Sequence, residues 1–333
     1  MLKGKTILLI ILAAIWICCP SVFAAEKLAQ SGFQFLSVGT DAGATGMGEA
    51  YTTIEGGSNA MFYNPAGLAR LDKRFDATFS ANNWIADIKH YAATLAYKPE
   101  NGAWGTFGLS AMWIDYGELQ GTMVWNNSLG YLDTDKFSPS ALALGIGYGK
   151  LLNDKFAVGG QVKIVAQSLG ESVIPSEHTW ASGTVKKNVA STYAYDFGTV
   201  YQTGFKGIAF GMSVRNFSGE FKFEEESFQL PLTFKIGVSM DVLDLLNEKP
   251  ENQSVLVCID AVHPRSKAEY LNLGVCYQFM NMLNLRAGYI SGQDEYGAAF
   301  GFGVSVMGVA FDYAYTPFGV FENVQRVTAR ISM

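Results

Sequence analysis

One property of this sequence restricts its fold more than any other: from about residue 75 to the end, apolar side chains recur at every second position. In Leu230 to Asp241, Leu232, Phe234, Ile236, Val238 and Met240 share one face, while Thr233, Lys235, Gly237, Ser239 and Asp241 share the other. Successive side chains of a β-strand point to opposite faces, so one side of this segment is apolar and the other polar or very small. The pattern returns where Leu271, Leu273, Val275, Tyr277 and Phe279 oppose Asn272, Gly274, Cys276 and Gln278. It returns again where Leu142, Leu144, Ile146 and Tyr148 oppose Ala143, Gly145, Gly147 and Gly149, and in residues 299–306 and 309–316.

Cutting the chain at its turn residues predicts strands near 75–84, 88–98, 103–115, 139–151, 155–168, 191–203, 206–217, 230–241, 253–263, 269–280, 282–291, 297–306, 308–317 and 323–333. That is about fourteen, an even number, of the length that tilted membrane strands need. The connections sort by length. Those near 116–138, 169–190 and 218–229 are long, and those near 99–102, 152–154, 204–205, 281 and 307 are short. Short periplasmic turns alternating with longer outer loops are the habit of outer-membrane barrels. The connection 242–252 is the exception, and Val242 to Leu246 reads as a short helix.

A soluble sandwich or lipocalin-like barrel alternates in the same way, so composition has to separate the two. Charged residues make up 16% of the chain, against about 25% in an average soluble protein. The polar face is mostly glycine, serine, alanine and threonine, which suits a narrow lumen better than a solvated exterior. The expected fold class is therefore all-β: a transmembrane antiparallel β-barrel of about 14 strands, residues 73–333, preceded by a small-residue-rich plug segment, residues 25–72.

The N-terminus points to the same compartment. Lys3 and Lys5, the apolar run Thr6 to Ile17 and the small residues before Ala25 read as a Sec signal peptide over residues 1–24. Cys18 and Cys19 raise lipidation, but Ile15-Trp16-Ile17 lacks the small residues that such processing prefers. No later run of 18 apolar residues follows, and only helices and closed barrels satisfy the backbone in lipid. The expected location is the cell outer membrane of a diderm bacterium, with membrane lipid as the first partner. A net charge of -6 with no basic run argues against nucleic acid.

Residues 26–72 do not alternate. They hold the run Gly39 to Gly48 and the stretch Asn59-Ala60-Met61-Phe62-Tyr63-Asn64-Pro65-Ala66-Gly67-Leu68-Ala69. The glycines miss the dinucleotide spacing G-x-G-x-x-G, and no strand precedes them. Small residues instead let backbone approach backbone, as a plug inside a barrel requires. Asn64-Pro65 ends an extended stretch, and Ala66 to Leu71 is expected to form a helical turn. The glycine- and alanine-rich run followed by Phe62 to Ala69 resembles the start of FadL-type outer-membrane proteins and, more closely, of the PorV/PorQ family. That resemblance covers the mature chain in architecture, with its specific motif confined to residues 35–72, and the chain departs from common barrel usage by ending in Met333. The PorV/PorQ resemblance implies a partner-binding role in type IX protein export or surface attachment, with secreted cargo or secretion machinery as partners. FadL relatives imply instead a channel for hydrophobic small molecules such as long-chain fatty acids.

Strand periodicity places Asp76, His90, Lys163, Asp196, Arg215, Lys235, Asp260, Arg286, Asp312, Arg326 and Arg330 on the lumen face. Charge on the lipid face would cost roughly 2–4 kcal/mol, so the lumen is the default, and ion pairs that lock the plug are the simplest use for it. Cys258 and Cys276 are placed symmetrically about residue 267 and share the lumen face, which leaves open a cross-strand disulfide or two unpaired small residues. His90, His178 and His263 show no ligand spacing, and no serine nucleophile motif or catalytic carboxylate pair stands out, so no metal, cofactor or enzymatic activity is expected. Trp84, Tyr91, Trp113, Tyr116, Tyr148, Tyr201 and Tyr289 fall at strand ends, where interfacial girdles lie. Outer-loop residues Trp125, Tyr131 and Asp133 to Asp135 suit protein recognition, a lid, or a packed loop.

Overall fold

The computed structural model describes residues 31–176, 179–223, 226–246, 248–293 and 296–333. The signal segment 1–24 with Cys18 and Cys19, the first residues of the plug, His178, Glu224 and Glu225 lie outside the described residues.

In chain order the strands are β1 (Phe75–Asn83), β2 (Lys89–Tyr97), β3 (Thr106–Asp115), β4 (Leu119–Val124), β5 (Tyr131–Phe137), β6 (Ser140–Leu151), β7 (Phe156–Ser176), β8 (Thr179–Gln202) and β9 (Ala209–Phe217). They continue as β10 (Phe221–Phe223), β11 (Glu226–Phe228), β12 (Thr233–Asp241), β13 (Gln253–Pro264), β14 (Tyr270–Phe279), β15 (Leu283–Ile290), β16 (Ala298–Val306), β17 (Val309–Thr316) and β18 (Val324–Ser332). Fourteen of them close into one antiparallel barrel, while β4–β5 and β10–β11 form two small hairpins outside it. Closure is made by β1 on β18, with Asp76 opposite Ser332 and Asn83 opposite Gln325.

The observed barrel strands match the expected ones in order and number, and they differ at their ends. β7 and β8 run on as a ribbon well past residues 168 and 191, with Glu171 opposite Lys187 beyond a register shift at Ser168. A polar two-stranded ribbon needs no lipid belt, so alternation of apolar residues does not reveal it. The connection 116–138 is likewise a hairpin and not an irregular loop. The expected short helix after β12 is a single 3-10 turn, Val242–Leu245, in which Asp241 accepts from the Leu243 amide.

The wall is apolar outward. Phe79, Ile146, Phe197 and Phe300 are exposed, while Thr78, Ser80, Ala143, Asp196 and Ala299 of the same strands are buried within. An apolar belt facing out around a polar or small-residue interior is the arrangement of a barrel in lipid. Among the residues read as girdle, Trp113, Tyr148, Tyr201 and Tyr289 do face outward. Trp84 and Tyr116 do not. Trp84 packs edge-on against Phe318 at 5.1 Å and lies under the Arg326 guanidinium, and Tyr116 joins the interior apolar cluster. Both follow the last residue of a strand, where the chain turns and the alternation of faces no longer holds.

Residues 31–72 fill the lumen in short pieces: 3-10 turns at Gln34–Ser37, Ser58–Phe62 and Pro65–Arg70, and a one-turn α-helix at Ala42–Gly46. Their fit explains the glycine on the inner face. A Cβ on Gly159 would stand 2.4 Å from the Pro65 carbonyl carbon, and one on Gly149 would stand 2.9 Å from the Ala69 amide nitrogen. Across the lumen, a Cβ on Gly288 would stand 2.0 Å from the Gly48 nitrogen. Backbone meets backbone at these places, so there is no flexible side chain to give way. We expect Gly159→Leu and Gly288→Val each to lower the thermal midpoint of the barrel, read as loss of the fast-migrating folded band on unboiled gels, since overpacking costs about 1–3 kcal/mol or more. Gly219→Ala, where a Cβ meets nothing within 4 Å, is expected to leave that midpoint unchanged.

Candidate functional site

The lumen has two unlike sides. Towards β2 through β9 it is apolar: Phe33, Phe35, Leu36, Phe62 and Tyr63 of the plug pack against Ala92, Met112, Ile114, Ala143, Val165 and Ala194 of the wall. Towards β12 through β18 and β1 it is polar, with Asp76, Lys235, Asp260, Arg286, Asp312, Arg326 and Arg330 beside several cavities, while His90, the Lys163–Asp196 pair and Arg215 belong to strands of the first side.

The motif Asn64, Pro65, Ala66, Gly67 and Leu68 is buried at the floor of the apolar side. Asn64 caps the turn that follows by accepting from the Ala66 amide at 3.1 Å, and it donates to the carbonyls of Thr52 at 2.7 Å and Thr199 at 3.1 Å. One amide side chain thus joins two parts of the plug to β8. Pro65 starts the turn, where its missing N–H costs nothing. Gly67 has no room for a Cβ, which would lie 2.7 Å from the Ile54 carbonyl oxygen, and Leu68 packs with Met61 and Ala96.

The eleven charged or titratable residues read as lumen-facing occupy inward positions, and the structure divides them into three groups. Asp76 and Asp260 hold the plug by its backbone. Asp76 accepts from the Ser58 amide at 2.7 Å and from Arg330 at 2.6 Å, and Ser332 also donates to it. Asp260 accepts from the amides of Tyr51 and Thr52 at 3.0 and 3.1 Å and from the Thr52 hydroxyl at 2.6 Å. Arg330 in turn donates to the Gly56 carbonyl. Charge-assisted bonds of this kind offset the burial of a carboxylate, which is otherwise costly.

The second group pairs within the wall. Lys163 lies 2.8 Å from Asp196, and Asn216 bonds both. Arg286 on β15 lies 2.5 Å from Asp312 on β17, reaching across β16 where Gly303 leaves the space open. The third group sits higher and lacks a carboxylate. Arg215 donates weakly to the Leu36 carbonyl at 3.5 Å, Lys235 to the Glu49 carbonyl at 3.4 Å, and Arg326 to the Gly39 carbonyl at 3.1 Å. His90 stands beside Trp84, with its Nδ1 buried and unpartnered. The ion pairs expected to lock the plug are therefore mostly wall-to-wall, and the plug is held instead by charge meeting its peptide groups. Within the plug, Arg70 pairs with Glu55 at 3.1 Å near the short-turn end. Burial pushes the Glu55 carboxyl up, while bonds from Gln202 and Arg70 oppose the rise.

Cys258 and Cys276 correct the expectation of symmetry. Both are free, and the β13–β14 ladder sets Cys258 opposite Gly274 and Cys276 opposite Leu256. The hairpin is centred one residue earlier than its turn sequence suggests, so the two thiols fall out of register. We expect the denatured mature chain to take up a maleimide at both thiols without prior reduction, as a mass shift of two labels.

Sequence reasoning missed the plug's own anchors, Thr52 and Glu49, because a segment without periodicity assigns no faces. It also missed a depression of about 550 Å³ on the lipid face of β2, β3, β6 and β7. Ala93, Ala111, Leu144 and Ile164 line it, and the inward residues Thr94, Ser110 and Gly145 form its floor. Replacing Asp260 tests the plug anchorage: Asp260→Ala strands two buried amides and is expected to destabilise the fold by roughly 3–5 kcal/mol. Asp260→Asn, which keeps an acceptor, is expected to lose less, and both are read as earlier proteolysis of the plug and a lower denaturant midpoint.

These features define a class: a transmembrane β-barrel of fourteen strands whose N-terminal segment plugs its lumen. Within that class the chain is similar in fold to several solved structures. The CymD monoaromatic hydrocarbon channel superposes with a TM-score of 0.59 at 13% identity, covering 89% of this chain and 98% of that one. The toluene transporter TodX of Pseudomonas putida gives 0.58 at 14% identity, covering 92% and 99%. A FadL homologue of Pseudomonas aeruginosa gives 0.53 at 11% identity, covering 92% and 100%. At such identities the likeness is one of fold. No protein-family model and no curated protein matches the sequence.

Proposed function

We propose that the protein is a non-enzymatic outer-membrane channel that admits hydrophobic small molecules, with the N-terminal plug as its gate. The observation that carries this reading is the apolar cluster of the lumen, which is lined by the same strands, β2, β3, β6 and β7, as the apolar depression on the outside of the wall. Thr94, Ser110 and Gly145 lie side by side on β2, β3 and β6, with Lys163 next in the row, and Thr94 and Ser110 donate inward to the Ser58 hydroxyl and the Gln161 amide oxygen. A hydrophobic solute entering from the outer mouth would displace the aromatic residues Phe33 and Phe35, and it would leave sideways into lipid past this single row of small, internally bonded side chains.

The plug is built for such a division. Its part from Asp41 to Leu71 is tied by Asp76, Asp260 and Asn64, whereas residues 31–38 are held chiefly by apolar contact and by one parallel bridge, Ser31 to Gln229. Apolar contact is non-directional, so a hydrophobic ligand can replace it with little loss. The three solved barrels of similar fold are a monoaromatic hydrocarbon channel, a toluene transporter and a FadL homologue, which agrees with this reading.

The partner-binding reading suggested by the PorV/PorQ resemblance rests on a different feature, the outer hairpin β4–β5. Val124 and Leu129 there are about 70% exposed, and Leu119, Tyr131 and Leu132 are also open to solvent. Exposed apolar groups gathered on one element mark protein contact sites. Recognition of secreted cargo or of export machinery would use this hairpin rather than the lumen.

Uptake separates the two. In a host lacking its own hydrophobic channels, expression of the chain is expected to raise entry of labelled toluene or a long-chain fatty acid several-fold. Ala111→Trp, which fills the wall depression from outside, is expected to return entry to background while the folded band persists. No increase in entry, together with co-purification of secreted proteins sharing one C-terminal domain, would replace the channel by the partner-binding role.

A further inference from the structure

At the outer mouth, two adjoining cavities of about 60 and 190 Å³ share Gln34, Ser37, Glu49, Lys267, Ile290 and Tyr296. Arg215 and Lys235 line the smaller and Arg326 the larger, with Lys267 at the exposed rim of both. Among the described residues that line the two cavities, four cations therefore stand with a single carboxylate, Glu49. Lys235 and Arg326 are each only 3% exposed.

Elsewhere in the protein buried cations are neutralised. Lys163, Arg286 and Arg330 have carboxylate partners at 2.8, 2.5 and 2.6 Å. Among the described residues, Arg215, Lys235, Lys267 and Arg326 have no carboxylate oxygen within 4.0 Å. The Lys235 ammonium has three N–H donors and makes one long bond, and the Arg215 Nε is buried with no partner at all. Asp260 lies in the field of Lys235, but its Oδ2 takes all three donors from Tyr51 and Thr52, and its Oδ1, though buried without a hydrogen-bond partner, makes no ion pair with Lys235 within 4.0 Å. Burying cations without counter-ions is unfavourable unless something else supplies the charge. The larger cavity adds an aromatic wall. Trp84 and Phe318 line it, and Tyr296 stacks on Phe318 with ring centroids 4.3 Å apart.

We infer that this vestibule is a binding site for a small organic anion, a carboxylate carried on a single ring, with the carboxylate between Lys235, Arg215 and Arg326 and the ring against Tyr296 and Trp84. Size sets the class. Pockets that enclose drug-sized ligands measure roughly 300–1,000 Å³, so 190 Å³ suits a single ring. Lysine and arginine donors at a partly desolvated site hold a carboxylate through charge-assisted bonds that a neutral hydroxyl cannot replace. The site is formed by the polar side of the lumen and does not depend on the apolar passage proposed above.

The test is calorimetric titration of the full barrel, in a non-ionic detergent, with sodium benzoate, benzyl alcohol and sodium acetate. Benzoate is expected to bind saturably, with benzyl alcohol and acetate each at least tenfold weaker, because one lacks the charge and the other the ring. Lys235→Met is expected to weaken benzoate at least tenfold without lowering the thermal midpoint, and Arg215→Gln serves the same purpose should that variant not fold. Absence of saturable benzoate binding, equal binding of benzyl alcohol or of acetate, or full binding by the folded variant overturns the site. None of these outcomes bears on toluene or fatty-acid entry, which is measured separately.

Discussion

Everything inside this barrel depends on how closely the plug's backbone approaches the wall. Gly149, Gly159 and Gly198 on one side and Gly274 and Gly288 on the other leave no space for a Cβ, because plug atoms already occupy it. A fourteen-stranded barrel encloses more volume than its inward side chains fill if those side chains are small. The remaining volume must be taken by water, ligand or more chain. Here it is taken by about forty residues arranged in turns of one or two windings, none long enough to be stable by itself. The plug is folded because the wall is shaped to receive it, and the wall's glycines, which weaken isolated strands, are tolerated because the plug supplies the contacts their missing side chains would have made.

Such close contact raises an electrostatic problem, since a plug made of short turns exposes many peptide groups that no regular ladder satisfies. The wall answers it with carboxylates and guanidiniums aimed at those groups. Asp76 takes the Ser58 amide, Asp260 the amides of Tyr51 and Thr52, and Arg326 supplies a donor to the Gly39 carbonyl. These bonds concentrate on the inner part of the segment. The outer part, from Ser31 to Val38, presents aromatic side chains to an aromatic and aliphatic wall instead. One chain segment is thereby anchored by directional bonds at one end and by non-directional contact at the other.

How much of this could be read from the sequence follows from where periodicity exists. On the strands the lipid belt imposes a period of two, so the number and order of the barrel strands were legible. Three features were not. The β7–β8 ribbon stands beyond the belt, so nothing marks its faces. The register of β13 on β14 depends on where the chain reverses between Pro264 and Tyr270, and a shift of one residue in that centre moves Cys276 from Cys258 to Leu256. The plug has no period at all. Its motif Asn64 to Leu68 could be recognised as a tight turn, but that Thr52 would meet Asp260, or Glu49 would stand among cations, depends on contacts about two hundred residues apart in the chain.

The two sides of the lumen also limit what the barrel can pass and how. On the channel reading a hydrocarbon on the apolar side would meet Phe35, Met112 and Ile114 and then a row of threonine, serine and glycine whose hydroxyls are already bonded to Ser58 and Gln161. An anion on that route would meet Lys163 already paired with Asp196. It is drawn instead to the mouth, where Lys235 and Arg326 are already dehydrated and lack carboxylate partners. Below them the way is closed by the helix Ala42–Gly46, where a Cβ on Gly46 would stand 3.1 Å from the Gly301 Cα, and by the Arg286–Asp312 pair beneath it. The plug is thus packed by non-directional apolar contact on one side and by close backbone contact beside an ion pair on the other, and a mouth closed in this way would hold an anion without passing it.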